Sequence, residues 1–390
     1  MAWKPKIKTG NTYNMDKENR QFIPDSSREI EKPKKILAGM PEYFMETEGK
    51  EFWKNDTHPI YLMMNLDTKC SNSCVKCALH NTKHHPGPPL TTEQRIGFLK
   101  QTASPLNLKE LVIIGYGEPS EDFEKVKPIV EEAKKQNIGT VMFTTLQFLT
   151  WEQAEFFRDN NVTIMTSIDT ADPETYDFLV KPNKQKAKGF REVLENLNIL
   201  RQVYGKPKQT ASGDHVVRLG INTTVCRQNV QDLEKIKALA GDDMIFVANP
   251  PMRRGNLTNK HKWEILVGKD YELLQRRAQE VSETGGHSSL AEGSCSYLNR
   301  GISIDIDGEL LTCGYASDTA HSIGNINSNL TPEQLLEVYK KNRAVFEKYR
   351  QETGDKSTCP LRCKSFEKYC REIALAHGQK QIKNPFRILN

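Results

Sequence analysis

A chain of 390 residues, 37% hydrophobic and 27% charged, has the composition of a soluble globular protein, and its length suggests a main domain with a smaller one appended. No apolar run approaches the ~18 residues that suggest a membrane span, and the opening stretch MAWKPKIKTG lacks a signal-peptide apolar segment. A cytoplasmic location without a membrane partner is therefore expected. The net charge of +5 is mild and sits mostly in residues 1–40, where nine Lys/Arg stand against five Asp/Glu, and this segment reads as a solvated tail. Nine cysteines in such a chain argue for metal or redox chemistry rather than a disulfide framework.

From about residue 60 short β-branched or apolar runs alternate with helical patterns, as in repeated βα units around a parallel sheet. Strands are predicted at Tyr61–Leu66, Glu110–Ile114, Thr140–Thr144, Val162–Ile168, Val216–Thr224 and Met244–Ala248. Helices are predicted between them at Thr92–Thr102, Asp122–Gln136, Trp151–Asp159, Phe190–Val203 and Val230–Leu239. The fourth helix has the clearest apolar face, with Phe190, Val193, Leu194, Leu197 and Leu200 at helical spacing. Six βα units are too few for a closed eight-stranded barrel, so the expected fold is α/β, a partial (β/α)6 TIM-like barrel with a small C-terminal domain. Pro250-Pro251 and Arg253-Arg254-Gly255 break the pattern, and a hairpin comes after them with Asp307-Gly308 at its turn. The expected divisions are an N-terminal extension over 1–58, the barrel over 59–255, and a C-terminal region over 256–390. No internal repeat is visible.

Cys70, Cys74 and Cys77 come directly after the first strand of the barrel, which places them at its mouth, where loops at the C-terminal ends of strands converge. A C-x3-C-x2-C loop can hold three thiolates on one face of a small cluster and leave a fourth iron without a protein ligand, whereas a fourth cysteine is the usual completion. Zinc remains an alternative, because a closed site takes four ligands and His80, His84 or His85 can supply the fourth. The polar neighbours Ser71, Asn72 and Ser73 fit poorly with cysteines packed as small hydrophobes.

Together with the motifs C-terminal to them, these cysteines resemble the radical S-adenosylmethionine (SAM) superfamily over about residues 60–370. The resemblance implies that Cys70, Cys74 and Cys77 ligate a 4Fe-4S cluster whose open iron is chelated by the amino and carboxylate groups of SAM. Gly115-Tyr116-Gly117-Glu118-Pro119 resembles the family's glycine–glutamate motif, whose backbone holds the methionyl amine, with glycines permitting close approach. Ser167 and Asp169 resemble positions that reach the methionine moiety or ribose, and Asp169 reads equally as a cap of the next helix. Asn222 and Thr224 are similar candidates. Two positions depart from the family pattern: Lys76 stands where an aromatic residue is common, and Leu146-Gln147 where Asn-Gly is usual.

Cys295, Cys313, Cys359 and Cys363 resemble the SPASM/twitch domain of one branch of the superfamily, which implies one auxiliary 4Fe-4S cluster with Cys370 as an alternative ligand. Structural zinc is the competing reading there. Cys226, just beyond the fifth predicted strand, is either a small buried hydrophobe or a hydrogen-atom donor to a substrate radical. The donor role predicts an epimerase, and its absence predicts a two-electron oxidation, the preferred expectation. The substrate is expected to be a sugar-like natural product or a peptide, and the electron donor a flavodoxin or ferredoxin. The reading from another class is a zinc-stabilised protein touching nucleic acid through His84, His85, Lys181, Lys184, Lys186 and Lys188. Those lysines lack interleaved aromatics and read as a solvated loop, so a nucleic-acid partner is not expected.

Overall fold

The protein is described by a computed structural model over residues 14–15, 22–23, 33–54, 57–79, 87–182, 189–283, 300–311 and 322–353. The chain divides into two compact units, Met1–Lys34 and Lys35–Asn390. In the first, β1 (Asn14–Met15) pairs antiparallel with β2 (Phe22–Ile23).

The second unit opens with β3 (Lys35–Leu37) and two short helices, α1 (Pro41–Thr47) and α2 (Lys50–Lys54). The βα alternation begins next: β4 (Tyr61–Leu66), α3 (Thr92–Thr102), β5 (Glu110–Gly115), α4 (Phe123–Lys135), β6 (Gly139–Thr144), α5 (Trp151–Asp159) and β7 (Val162–Ser167). Then come α6 (Pro173–Val180), α7 (Phe190–Tyr204), β8 (Lys208–Gln209), β9 (His215–Val217), β10 (Leu219–Thr224), α8 (Leu233–Ala240) and β11 (Ile245–Asn249).

Strands β4, β5, β6, β7, β10 and β11 pair in parallel, each beside the next in sequence. Sequential neighbours joined through helices give the singly wound order of a barrel wall. All six residues of β4 are buried, as expected of an inner strand covered on both faces. Helix α7 has its predicted pattern, burying Phe190, Val193, Leu197 and Leu200.

After β11 the chain forms a 3-10 turn (Gly255–Thr258), α9 (Lys260–Leu266) and α10 (Tyr271–Val281). Next are β12 (Gly301–Ile304), β13 (Glu309–Leu311), β14 (Ser322–Asn325) and α11 (Pro332–Thr353). The β12–β13 hairpin turns at Asp307-Gly308, with Gly308 at φ 89°, a left-handed conformation suited to glycine. Strand β12 pairs in parallel with β4, and β13 and β14 continue the same sheet antiparallel, so it has nine strands. Among the described residues its outer strands β11 and β14 each have one neighbour, so the described sheet is open.

Two predicted elements need correction. The strand expected over 216–224 is two strands, because the chain changes sheets at Arg218. Strand β9 joins a small sheet with β3 and β8, while β10 joins the main one. The Arg218 guanidinium donates to the carbonyls of Arg158 (3.1 Å) and Val162 (2.9 Å) and fixes that crossover. Helix α6 is absent from the predicted elements, although Asp172 caps it by accepting from Thr175 N–H at 2.8 Å and Pro173 occupies its first turn.

Candidate metal centre

Strand β4 ends at Leu66, and the chain runs through Thr68 and Lys69 into the cysteine loop. Backbone groups fasten that lead-in to the turn after β5. Tyr116 N–H donates to Leu66 O at 2.9 Å, and Glu118 N–H to Lys69 O at 2.7 Å. The approach is so close that a Cβ on Gly115 would overlap Leu66 backbone, and one on Gly117 the backbone of Thr68. These glycines therefore have a packing role at the root of the cysteine loop, beside whatever they offer a ligand.

The loop itself is tied on three sides. Ser73 N–H and Val75 N–H donate to the carbonyls of Val180 (3.2 Å) and Leu179 (2.9 Å) at the end of α6. Ser71 gives its N–H (2.7 Å) and hydroxyl (2.6 Å) to the Glu121 carboxylate. Asn256 donates its amide side chain to Cys74 O (2.7 Å) and its N–H to Cys77 O (2.9 Å). Next to it Gly255, at φ 51°, presses against Cys77 and Ala78, where a Cβ would overlap backbone. The sequence break at Arg253-Arg254-Gly255 is thus where the chain docks on the cysteine loop.

Cys70, Cys74 and Cys77 are free thiols, the first exposed and the others half-buried. Although Cys70 keeps surface open to solvent, the protein packed around its thiol desolvates it and pushes it up to about 11, and the neighbouring Glu118, Cys77 and Glu121 add to this, against a backbone hydrogen bond at Asn72. Burial raises Cys74 further, with Cys77 next and Lys76 opposing. Thiols that resist ionisation when empty release protons on taking a metal, because the thiolate is the ligand. Both polar atoms of the Asn72 side chain, inside this loop, are buried without a hydrogen-bond partner, as is the Thr68 hydroxyl. Three thiols and orphaned polar groups on one well-anchored loop fit the donor set of a thiolate-held cluster. Among the described residues no three His, Cys, Asp or Glu side chains converge on a single ion, a geometry that ligands of separate irons do not need.

Around the loop, Glu118 is 2% exposed and its carboxylate is filled by protein donors. These are Ser120 N–H (3.0 Å) and hydroxyl (2.6 Å), the Thr144 hydroxyl, and Thr145 N–H (2.7 Å) and hydroxyl (2.8 Å). Contacts to a cofactor from this turn are therefore left to its backbone.

Asp169, just past β7 and also 2% exposed, is not the cap of α6, a role that Asp172 takes. It pairs with the Lys76 ammonium and accepts Thr224 N–H at 2.8 Å. Ser167 and Asn222 lie opposite each other on β7 and β10, and Asn222 accepts from the Asn249 amide on β11 at 2.7 Å. Leu146 adopts a left-handed φ of 64° while fully buried, and its carbonyl accepts from the Asn196 amide at 2.6 Å. Gln147, equally buried, donates to the Tyr176 hydroxyl at 2.6 Å. That pair is built into the core.

The structure brings Cys70, Cys74, Cys77, Gly115, Gly117, Glu118 and Asp169 into one connected neighbourhood. Cys226 is 2% exposed within the apolar core cluster, and burial pushes its thiol up to about 11 against a backbone hydrogen bond at Gln228, with Asp169 of that neighbourhood adding to the rise and Lys76 opposing it. That position suits a small hydrophobe. Cys295, Cys313, Cys359, Cys363 and Cys370, with His80, His84, His85, Lys184, Lys186 and Lys188, lie outside the described residues. Sequence reasoning missed Asn256, Thr144 and Thr145, whose contribution is hydrogen bonding to neighbours distant in the chain, and Ser120, which bonds Glu118 two residues before it. It also missed Asp305 at the end of β12, which accepts from the Asn65 amide (3.0 Å) and the Tyr116 hydroxyl (3.3 Å).

Residues 64–240 match the family model described as the Radical SAM superfamily. The AdoMet-dependent heme synthase of Methanosarcina barkeri (strain Fusaro / DSM 804) is 25% identical over 347 residues, covering 80% of this chain and 90% of that protein. Among solved structures, Streptococcus suis SuiB bound to precursor peptide SuiA is similar with a TM-score of 0.50 at 14% identity, a likeness of fold. That likeness covers 73% of this chain and 65% of SuiB. No helix among the described residues is long and apolar enough to cross a membrane. The match to the Radical SAM superfamily model thus takes in the cysteine loop and the strands from β5 to β10.

Proposed function

We propose that this chain binds a 4Fe-4S cluster through Cys70, Cys74 and Cys77 and uses SAM to oxidise an unactivated C–H bond of a small molecule or peptide. The observation that carries the reading is the three-thiol loop, anchored at the end of β4 and pressed against the Gly115–Glu118 turn by backbone contacts too close for any side chain. A cluster held by Cys70, Cys74 and Cys77 would supply the electron for reductive cleavage of SAM, and SAM the hydrogen-abstracting power toward substrate. The chain's own residues hold that chemistry in place. Gly115 and Gly117 keep the turn low over the loop, Glu118 locks the turn to the end of β6, and Ser167 and Asn222 offer polar groups toward SAM.

The curated relative is named as AdoMet-dependent, which supports SAM as the co-substrate, and as a heme synthase, which supports a small-molecule substrate. The region 256–390 is proposed to carry one auxiliary 4Fe-4S cluster on Cys295, Cys313, Cys359 and Cys363, with Cys370 as the alternative ligand. That cluster would take the substrate radical's electron, and a flavodoxin or ferredoxin would reduce the first. Oxidation is preferred over hydrogen return by the Cys226 thiol because the auxiliary cluster rests on several spaced cysteines and the donor on one.

Anaerobic reconstitution should give about eight irons and eight sulfides per chain. Replacing Cys70, Cys74 and Cys77 together with Ala should remove about half of them and abolish 5′-deoxyadenosine formation. Stoichiometric zinc without sulfide would end this reading.

A further inference from the structure

Lys76 stands between Cys74 and Cys77, and its ammonium reaches across to the ends of β7 and β10. It pairs with Asp169 and donates to the Thr224 hydroxyl at 3.2 Å, with the two ion-pair side chains only 13% and 2% exposed. The anchor it grips is itself braced. Thr224 N–H donates to Asp169 at 2.8 Å, and the Asn229 amide donates to the carbonyls of Asp169 (2.7 Å) and Thr224 (2.9 Å). One side chain on the loop thus reaches two strand ends nearly a hundred and a hundred and fifty positions further along. Breaking a buried pair by removing one partner leaves an uncompensated charge.

We propose that Lys76 is a positioning residue for the cluster: paired with Asp169, it clamps the cysteine loop onto β7 and β10, and the two charges pull in opposite directions on the cluster's affinity for an electron. The proposal rests on the radical SAM reading of the loop. A nearby cation favours the more negative, reduced cluster and a nearby anion disfavours it.

The experiment uses the reconstituted full chain as wild type, Lys76→Met, Lys76→Arg, Asp169→Asn and the Lys76→Met/Asp169→Asn pair. Iron and sulfide are measured, and the reduced-cluster resonance is tracked by electron paramagnetic resonance in a redox titration. The signal lost in Cys70→Ala identifies the loop cluster. At a fixed potential the ratio of reduced to oxidised cluster should fall roughly tenfold in Lys76→Met, rise by a similar factor in Asp169→Asn, and return toward wild type in the pair. Iron lost in Lys76→Met and retained in Lys76→Arg would support the clamp. Equal iron loss in both Lys76 variants would overturn it, as would shifts of Lys76→Met and Asp169→Asn that vanish or share one sign. A wild-type chain that assembles no cluster would instead sink the radical SAM reading, and the inference with it.

Discussion

Gly117→Ala adds one methyl group where there is no room for it. The new Cβ would overlap the carbonyl carbon and oxygen of Thr68, backbone atoms that cannot swing aside as a flexible side chain would. Gly117 does not have a positive φ, so the substitution tests space rather than backbone strain. To relieve the overlap the turn must lift away from residues 66–69, stretching the bonds from Tyr116 N–H to Leu66 O and from Glu118 N–H to Lys69 O. Two backbone hydrogen bonds are worth roughly 0.5–1.5 kcal/mol each net, and overpacking costs about 1–3 kcal/mol. The loss is then about 2–6 kcal/mol, a large part of a typical ~5–15 kcal/mol stability. At ~2–4 °C per kcal/mol, the figure for domains of roughly 150–250 residues, Tm of the cluster-free protein should fall by roughly 4–24 °C. Thermal unfolding monitored by circular dichroism checks the fold, and iron per chain after reconstitution checks the loop. A Gly117→Ala protein with wild-type Tm that has lost only SAM affinity would refute the reasoning and show that the space is kept for the ligand.

Two further outcomes concern buried ionisable groups. Glu110, at the start of β5, is buried so that its carboxyl lies well above the ordinary 4.5, with Arg218 opposing the shift. Above pH 4.5 the unfolded chain has lost this proton while the folded chain keeps it, so stability falls as pH rises from there. Glu110→Gln should therefore raise Tm more at pH 7 than at pH 5, and a wild-type advantage at pH 7 would contradict this. The Cys226 thiol, pushed up to about 11, should resist iodoacetamide in the folded, cluster-free protein at pH 8 and react on unfolding, as peptide mapping of labelled protein would report. With its folded value above the ordinary 9.0, it also removes stability as pH climbs from about 9 toward 11. Cys226→Ala should flatten part of that decline in a urea titration series, and rapid native labelling would disprove the burial.

The repeating units of the barrel were legible because a buried parallel strand leaves a compact apolar run, as at Tyr61–Leu66, and an amphipathic helix leaves a period, as at Phe190–Leu200. The change of sheet at Arg218 was not. One residue of Val216–Thr224 redirects the chain by hydrogen bonds to carbonyls on a neighbouring segment, which apolar patterning does not record. The hairpin turn at Asp307-Gly308 was visible from its dipeptide, whereas the pairing of β12 with β4 was not, since parallel partners leave no local signature.

The same division runs through the site. Cys70, Cys74 and Cys77 stand out because metal ligands must be particular residue types at particular spacings. The groups that hold them leave no such mark. Asn256 is an ordinary loop asparagine until its amide meets Cys74 O, and Lys76 is only a missing aromatic until its ammonium meets Asp169. Glu118 shows how a motif residue can mislead: its place in the glycine–glutamate turn suggests a ligand contact, yet its carboxylate is consumed by Ser120, Thr144 and Thr145. A carboxylate so filled cannot take another donor without giving one up. The residue therefore acts on the site by holding the turn that Gly115 and Gly117 let down onto residues 66–69, and the cysteine loop inherits its position from that turn.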